Sequence, residues 1–423
     1  MAVLILVFLG LLVIGAPIAV CMAGSTTLVL LLEDMSHFLV AQRMEYAIDS
    51  FTQLAIPFFI LAGHFMNEGG ISKRIVDFAT SLIGHLKGGL AQAMIVASML
   101  FAGISGSAYA DASMLGTLML PEMKEKGYPV ADSTVILAAG ATIGPIIPPS
   151  IQMVIFASTA SVSVGQMLMG GVLPGIAMGV CLMAIVYFTA AKNNWPRCER
   201  ASAAKIWKDF KGAVWALLMP LIVLGVIITG VCTATEAAVL AAAYSFIIGM
   251  FVYRELKFKN LMRIFINAFR QTAQVTIIIA AAGILGWYLT YTQLPATLSA
   301  SLLGLTNSRI AILMIINVIL LILGCFMETT AVVLLMTPVF LPVVTALGVS
   351  PIHFGVMMVL NLCIGLITPP VGMCMYIGCG ISKCSIGDFC KRLPRYFIAL
   401  LLALLLVTVC EPLVTWLPNL LIK

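Results

Sequence analysis

Gly144-Pro145-Ile146-Ile147-Pro148-Pro149-Ser150 and, 221 residues later, Gly365-Leu366-Ile367-Thr368-Pro369-Pro370 interrupt two long apolar stretches at matching places. Consecutive prolines remove backbone donors and clash with the preceding turn, so no continuous helix passes through either stretch. Inside a bilayer, broken backbone survives only where it is buried in protein or lines a wet cavity. Carbonyls freed at such a break suit a hard cation, and helix N-termini aimed at the same point suit an anion. The plainer alternative is a pair of unliganded proline kinks. Recurrence at matched positions, each after a polar turn, argues against it.

Composition sets the surroundings. Of 423 residues 62% are hydrophobic and 9% charged, against about 25% charged in a soluble protein, so a soluble globule could not cover itself. Mostly apolar runs of about 17 to 25 residues recur from end to end, each long enough to cross a ~30 Å hydrocarbon layer as a helix. The roughly ten-residue alternation of a membrane barrel is absent. The fold class is an all-α polytopic membrane protein. The net charge of +6 lies in short stretches between apolar runs, which reads as topology control and excludes a nucleic-acid partner. Residues 1–32 are too long for a signal peptide's apolar region and lack a basic start, so they read as retained structure. The 11 cysteines show no CxxC or zinc spacing and read as small packing residues. No phosphate loop of the GxxxxGK[ST] type occurs, which argues against ATP-driven pumping by this chain alone.

Spans are expected at roughly 1–20, 24–40, 50–66, 131–160, 166–190, 213–232, 236–252, 271–290, 352–378 and 396–420. Segments 88–121 and 309–342 differ. Each holds two apolar arms of about 14 residues around a small or polar centre, Ser105-Gly106-Ser107 in one and Cys325 to Thr330 in the other. Arms that short cannot cross, so both segments read as re-entrant hairpins. Sliding the sequence on itself by 221 residues matches Gly103 with Gly324, Leu120-Pro121 with Leu341-Pro342, Gly144 with Gly365, and Pro148-Pro149 with Pro369-Pro370. With 19 prolines in the chain, about 0.12 proline coincidences are expected by chance over positions 103–161, and three occur. The reading is a first repeat over 1–190 (hairpin 88–121, broken helix 131–160), a basic cytoplasmic linker over 191–212, and a second repeat over 213–423 (hairpin 309–342, broken helix 352–378).

Basic loops give the orientation. Stretches Lys192 to Lys211 and Arg254 to Arg270 belong in the cytoplasm, as do Lys391, Arg392 and Arg395 and the mouth of the first hairpin, with Lys87, Lys124 and Lys126. Only Arg309 lies near the mouth of the second. The hairpins therefore enter from opposite sides, making the repeats inverted. Two spans within the first 40 residues place both termini outside.

Polar residues inside apolar runs are functional candidates. The first tip offers the Ser105 and Ser107 hydroxyls, the second Thr329 and Thr330, and Asp111 and Glu328 flank the tips. Neither tip nor break holds Lys or Arg, so an anion there must be held by backbone dipoles and bound cations, which favours sodium coupling. Glu236 in Thr233-Ala234-Thr235-Glu236 reads as a helix cap, and His64 as an interior histidine with a partner. The segment 70–86 reads as an interfacial amphipathic helix, with a counterpart near 293–305.

Gly103-Ile104-Ser105-Gly106-Ser107 with Ala110-Asp111, Gly144 to Ser150, Thr233-Ala234-Thr235-Glu236-Ala237 and Thr368-Pro369-Pro370-Val371-Gly372 together resemble the large membrane subunit of tripartite ATP-independent periplasmic (TRAP) transporters, over nearly the whole chain. The resemblance implies a sodium-driven importer of organic acids in the bacterial inner membrane. It also implies two partners, a periplasmic substrate-binding protein and a small four-helix membrane subunit, and an elevator-type motion of hairpins against a scaffold. Because the chain starts directly with large-subunit sequence, the small subunit is expected as a separate polypeptide. General likeness leans to the sialic-acid branch, with C4-dicarboxylates second. The first sodium site is expected at Ser105, Ser107 and backbone oxygens near Gly144, Ile147 and Pro149. By the 221-residue shift the second uses Gly324, Glu328, Thr329 or Thr330, Gly365 and Thr368. Substrate is expected against Ser105, Gly106, Ser150, Thr330 and Pro370. A stand-alone sodium-coupled anion symporter, or a membrane subunit of a redox or proton-translocating enzyme, are the alternatives.

Overall fold

The computed structural model describes residues 2–306 and 308–422. The chain is an all-helical, multi-pass membrane protein. Among the described residues, seven helices are long and apolar enough to cross a membrane, or eight when a bent pair is taken as one span. The first half contains α1 (Ala2–Val13), α2 (Ile18–Leu32), α3 (Phe38–Ile48), α4 (Ala55–Glu68), α5 (Ile71–Ile83), α6 (Gly89–Ser105), α7 (Ala108–Glu125), α8 (Val130–Ala141), α9 (Ile151–Thr159) and α10 (Val164–Lys192). The second contains α11 (Ala203–Ile228), α12 (Ala234–Ile247), α13 (Phe258–Tyr291), α14 (Leu294–Leu305), α15 (Arg309–Phe326), α16 (Thr329–Ala346), α17 (Pro351–Gly365), α18 (Met373–Ser382), α19 (Ile386–Val409) and α20 (Pro412–Leu421).

Shifted by 221, helix starts coincide from α3 to α10. Val130 of α8 falls on Pro351 of α17 and Ala108 of α7 on Thr329 of α16, and the starts of α13, α14, α15, α18 and α19 fall within two residues of α3, α5, α6, α9 and α10. The single helix α13 corresponds to α3 and α4 together, which are bent by 61°. Both expected breaks are present, between α8 and α9 and between α17 and α18, and the Pro148-Pro149 and Pro369-Pro370 bonds are cis.

Packing fixes the relative direction of the two broken helices. The side chains of Arg392 and Tyr396 on α19 meet Asp132 in the first turn of α8, while His353 Nε2 in the first turn of α17 donates to the backbone carbonyl of Val407 on α19 at 2.7 Å. Tyr396 and Val407 are separated by about 16 Å of helix rise, so α8 starts beside the first half of α19 and α17 beside its last turn. Correspondingly, Phe354 at the start of α17 packs edge-on against Phe156 in α9, and Gly378 of α18 lies against Thr134 of α8. Each broken helix thus meets the far half of the other, head to tail.

Several expected boundaries are corrected. Spans 1–20 and 24–40 are instead α1 and α2, of 12 and 15 residues, folded onto each other through a turn at Gly15 (φ 85°) and Pro17, with Leu11 against Gly24. Helices of about 18 and 22 Å do not span ~30 Å, so the argument that two spans put the N-terminus outside loses its basis. Uninterrupted hydropathy hid the turn. The hairpin arms have 17 or 18 residues rather than about 14, and α15 and α16 are long enough to cross by length and composition. Shortness is therefore not what defines the second hairpin. Between the expected spans 24–40 and 50–66 the chain forms α3, whose Ala47 closes on Gly283 of α13. The basic stretches before 213 and 271 run partly into the helical starts of α11 and α13, and 396–420 is divided between α19 and α20.

Candidate functional site

The first hairpin tip and the first break form one unit. Gly106 turns the tip with φ of 59°, and a Cβ there would lie 2.6 Å from the Pro149 carbonyl oxygen, so glycine is required both by conformation and by the close approach. Ser105 Oγ donates to Asp111 Oδ1 and accepts from Ser107 N at 3.2 Å. The other Asp111 oxygen, Oδ2, is buried without a hydrogen bond and abuts Gly144, where a Cβ would lie 2.5 Å away. Among the described residues no hydrogen bond reaches the carbonyls of Gly144, Ile147 or Pro149. Gly171 and Gly175 on α10 let Ile146 and Ile147 pack against them. Ser150 is fully buried, accepting from Met153 N at 3.2 Å to cap α9. Thus Ser105, Gly106, Ser107, Gly144 and Pro149 come together around a buried carboxylate, an oxygen-rich and net-negative setting that fits a hard cation.

The second unit is built differently. Gly324 and Gly365 touch through their backbones, Thr368 Oγ1 donates to the Gly365 carbonyl at 2.8 Å, and Val371 N donates to the Cys325 carbonyl at 3.1 Å. Glu328 caps α16, accepting from Ala331 N at 3.2 Å and Thr330 Oγ1 at 2.8 Å, and Thr329 Oγ1 is buried without a partner. Pro369, Pro370 and Val371 are exposed, whereas Pro148 and Pro149 are buried. The two breaks match in sequence position and differ in enclosure.

Between the tips lies a cavity of about 380 Å³. Ser107 and Tyr109 line it from the first tip, Glu328 and Thr330 from the second, Gln152 from α9, Gln271 and Gln274 from α13, and residues 17–19 from the start of α2. The shift of 221 maps Ser107 onto Glu328 and Tyr109 onto Thr330, so quasi-equivalent pairs face one space. A small annex of about 30 Å³ includes His64, Asn67 and Ser105, with His64 Nε2 3.1 Å from Gln271 Oε1. Tyr109 Oη, Gln152 Oε1 and Asn67 Oδ1 are buried without partners. The lining contains no Lys or Arg. It can hold a small polar molecule through hydroxyl and amide groups, with Glu328 the one acidic side chain in the described lining. Ser150 and Pro370 do not line this cavity. Tyr109, Gln152, Gln271 and Gln274 went unmarked in the sequence, although three amides inside apolar runs were the available signal. Glu236 closes a capping box with Thr233, as its spacing indicated.

Residues 5–413 match the family model described as tripartite ATP-independent periplasmic transporter, DctM component. The isethionate TRAP transporter permease protein DctMQ of Oleidesulfovibrio alaskensis is 42% identical over 95% of this chain, which spans 63% of that relative's length. The 2,3-diketo-L-gulonate TRAP transporter large permease protein YiaN of Escherichia coli is 39% identical, covering 96% of this chain and 97% of the relative. Large permeases named for sialic acid in Vibrio cholerae and for C4-dicarboxylates in Pseudomonas aeruginosa are 36% and 37% identical, so similarity does not single out the sialic-acid branch. Among solved structures, the YdaH transporter of Alcanivorax borkumensis superposes with a TM-score of 0.65 at 15% identity, over 90% of this chain and 89% of that one. That likeness is one of fold.

Proposed function

The chain belongs to the DctM family of tripartite ATP-independent periplasmic transporter components, a family of membrane permeases and not of enzymes, and from that membership we propose that it is the large permease of a sodium-coupled importer of organic acids. The observation that carries this reading is the cavity faced by quasi-equivalent residues of both hairpin tips, each tip beside a broken helix. Two sodium ions travel with the substrate. The first is held by Ser105, Ser107, Asp111 and the free carbonyls of Gly144, Ile147 and Pro149. The second lies at the Gly324–Gly365 contact, with Thr368 and a hydroxyl from Thr329 or Thr330. The substrate occupies the cavity between them, its acid group facing Ser107, Thr330 and the bound cations.

The head-to-tail packing of α8–α9 against α17–α18 supports inverted repeats over 1–190 and 213–423 joined by the basic linker 191–212. It also supports an elevator motion in which hairpins and broken helices move together against α2–α4 and α12–α13. The partners are a small membrane subunit, in keeping with the relative named DctMQ, and a periplasmic substrate-binding protein, the whole sitting in the bacterial inner membrane. Substrate choice stays at the level of an organic acid, because relatives named for isethionate, diketogulonate, sialic acid and C4-dicarboxylates are all about equally similar. Uptake of a panel of such acids into proteoliposomes, with and without sodium, small subunit and binding protein, tests the reading. Sodium-independent uptake contradicts it.

A further inference from the structure

A second chamber of about 550 Å³ lies farther along three helices that also line the central cavity. The wall from α13 lines the first with Gln271 to Ile278 and the second with Ile279 to Thr290. The α9 wall passes from Gln152 to Ser158 and Ser161, and the α16 wall from Thr330 to Leu334 and Pro338. What changes is the charge. The central cavity has no cationic side chain, whereas the second is closed by α3, which contributes Arg43.

Arg43 is unusually available. Its guanidinium lies 5.1 Å over the Trp287 ring, it forms no ion pair among the described residues, and its Nε is buried without a hydrogen-bond partner. Stacking on an aromatic face fixes the planar group and leaves its in-plane N–H donors free, the geometry that receives a carboxylate or sulfonate side-on. The hydroxyls of Ser158 and Ser161 make no hydrogen bond within the described residues and line the same chamber. Asp49 also lines it, at more than ion-pairing distance from Arg43, and its charge works against an anion. The last carbonyls of α9 act in the same sense.

We propose that this chamber is a separate anion-recognition site, in which Arg43 receives the acid group of the substrate before it reaches the central cavity, whose described lining has no cationic side chain. The proposal rests on the transport reading above and assigns α3 to the outer side. An anion so held lies between α3–α13 and α9–α16, so it must leave Arg43 as it moves inward to the tips. Recognition of charge and final binding are thereby divided between two places along one cleft.

The test introduces Ser158→Cys and measures its labelling by small methanethiosulfonates of opposite charge, the ethylsulfonate and the ethyltrimethylammonium reagents, in right-side-out vesicles of the full chain. The adduct at that peptide is read by mass spectrometry. With Arg43 present, the anionic reagent should react faster relative to the cationic one by about tenfold. Arg43→Gln should abolish that preference and Arg43→Lys should keep most of it, which separates lost charge from lost folding. In reconstituted transporter, Arg43→Gln should raise the half-saturating substrate concentration about tenfold and leave half-activating sodium unchanged. An unchanged reagent preference in Arg43→Gln overturns the proposal, and so does a lost preference with unaltered uptake. Both of these leave the transport reading intact, since wild-type uptake still depends on sodium.

Discussion

Asp111 carries the argument at the scale of single residues. One of its oxygens accepts from Ser105 and the other is buried, unbonded and pressed against Gly144. A buried carboxylate oxygen with no partner costs free energy comparable to a lost charged hydrogen bond, and a sodium ion shared with the nearby hydroxyls and carbonyls would offset that cost. Replacing Ser105 and Ser107 together by Ala should therefore raise half-activating sodium about tenfold or more, equivalent to about 1.4 kcal/mol, while expression in the membrane stays near normal. Sodium activation of the double variant indistinguishable from wild type would sink this site. Gly365 gives a prediction of another kind. A Cβ there would lie 2.4 Å from the Gly324 carbonyl oxygen, and backbone cannot swing aside as a long side chain can. Gly365→Ala should lower stability by about 1–3 kcal/mol, read as a lower melting temperature of the purified protein, whereas Gly348→Ala, with open space around it but φ of 72°, should show only the backbone penalty.

At the scale of helices, α19 ties the two broken helices to one rod. Asp132 is buried in the first turn of α8, where the helix dipole favours its charge, and it accepts from Tyr396 Oη at 3.1 Å with Arg392 Nε 3.6 Å away. Tyr396→Phe should cost about 1–3 kcal/mol, because it leaves a buried carboxylate short of a donor. Arg392→Ala should cost less, its side chain being half exposed. A larger loss in thermal unfolding for Arg392→Ala than for Tyr396→Phe would show that the charge pair, not the buried hydrogen bond, holds the helices. This scale also shows what the sequence discloses. Paired prolines announce both breaks, and Ser105-Gly106-Ser107 announces a tip, since local backbone rules decide them. Which of Gln152, Gln271 and Gln274 share a cavity is decided by how α9 and α13 face each other, and no local pattern records that. The turn at Gly15 to Pro17 vanished inside continuous hydropathy, and α3 was missed because its charged residues imitate a loop. Two proposed sites, one at each break, also predict cooperative sodium activation. A Hill coefficient of one at saturating substrate would count against the second site.

For the molecule as a whole, the question is how a substrate delivered by the proposed binding protein would enter this cleft. Of the acids between α2 and α4, Glu33 is engaged by Tyr288 Oη at 2.7 Å and Asp49 lines the Arg43 chamber. Asp34 and Glu45 remain exposed and form no ion pair among the described residues. Exposed charges of this sort act on encounter: they steer a docking partner from a distance and are screened by salt over about 8–10 Å. Reversing Asp34 and Glu45 to Lys should therefore slow uptake from the proposed binding protein several-fold at low ionic strength and much less at high ionic strength. Half-activating sodium should not move, because the proposed sodium sites are at the hairpin tips and α3 does not line the central cavity. Uptake kinetics at two salt concentrations, with sodium held constant and a neutral salt varied, separate the two effects. Slowing of the same size at both would place these acids in a bound contact and not in steering, and robust sodium-driven uptake by the chain with no binding protein present would overturn delivery by a partner altogether.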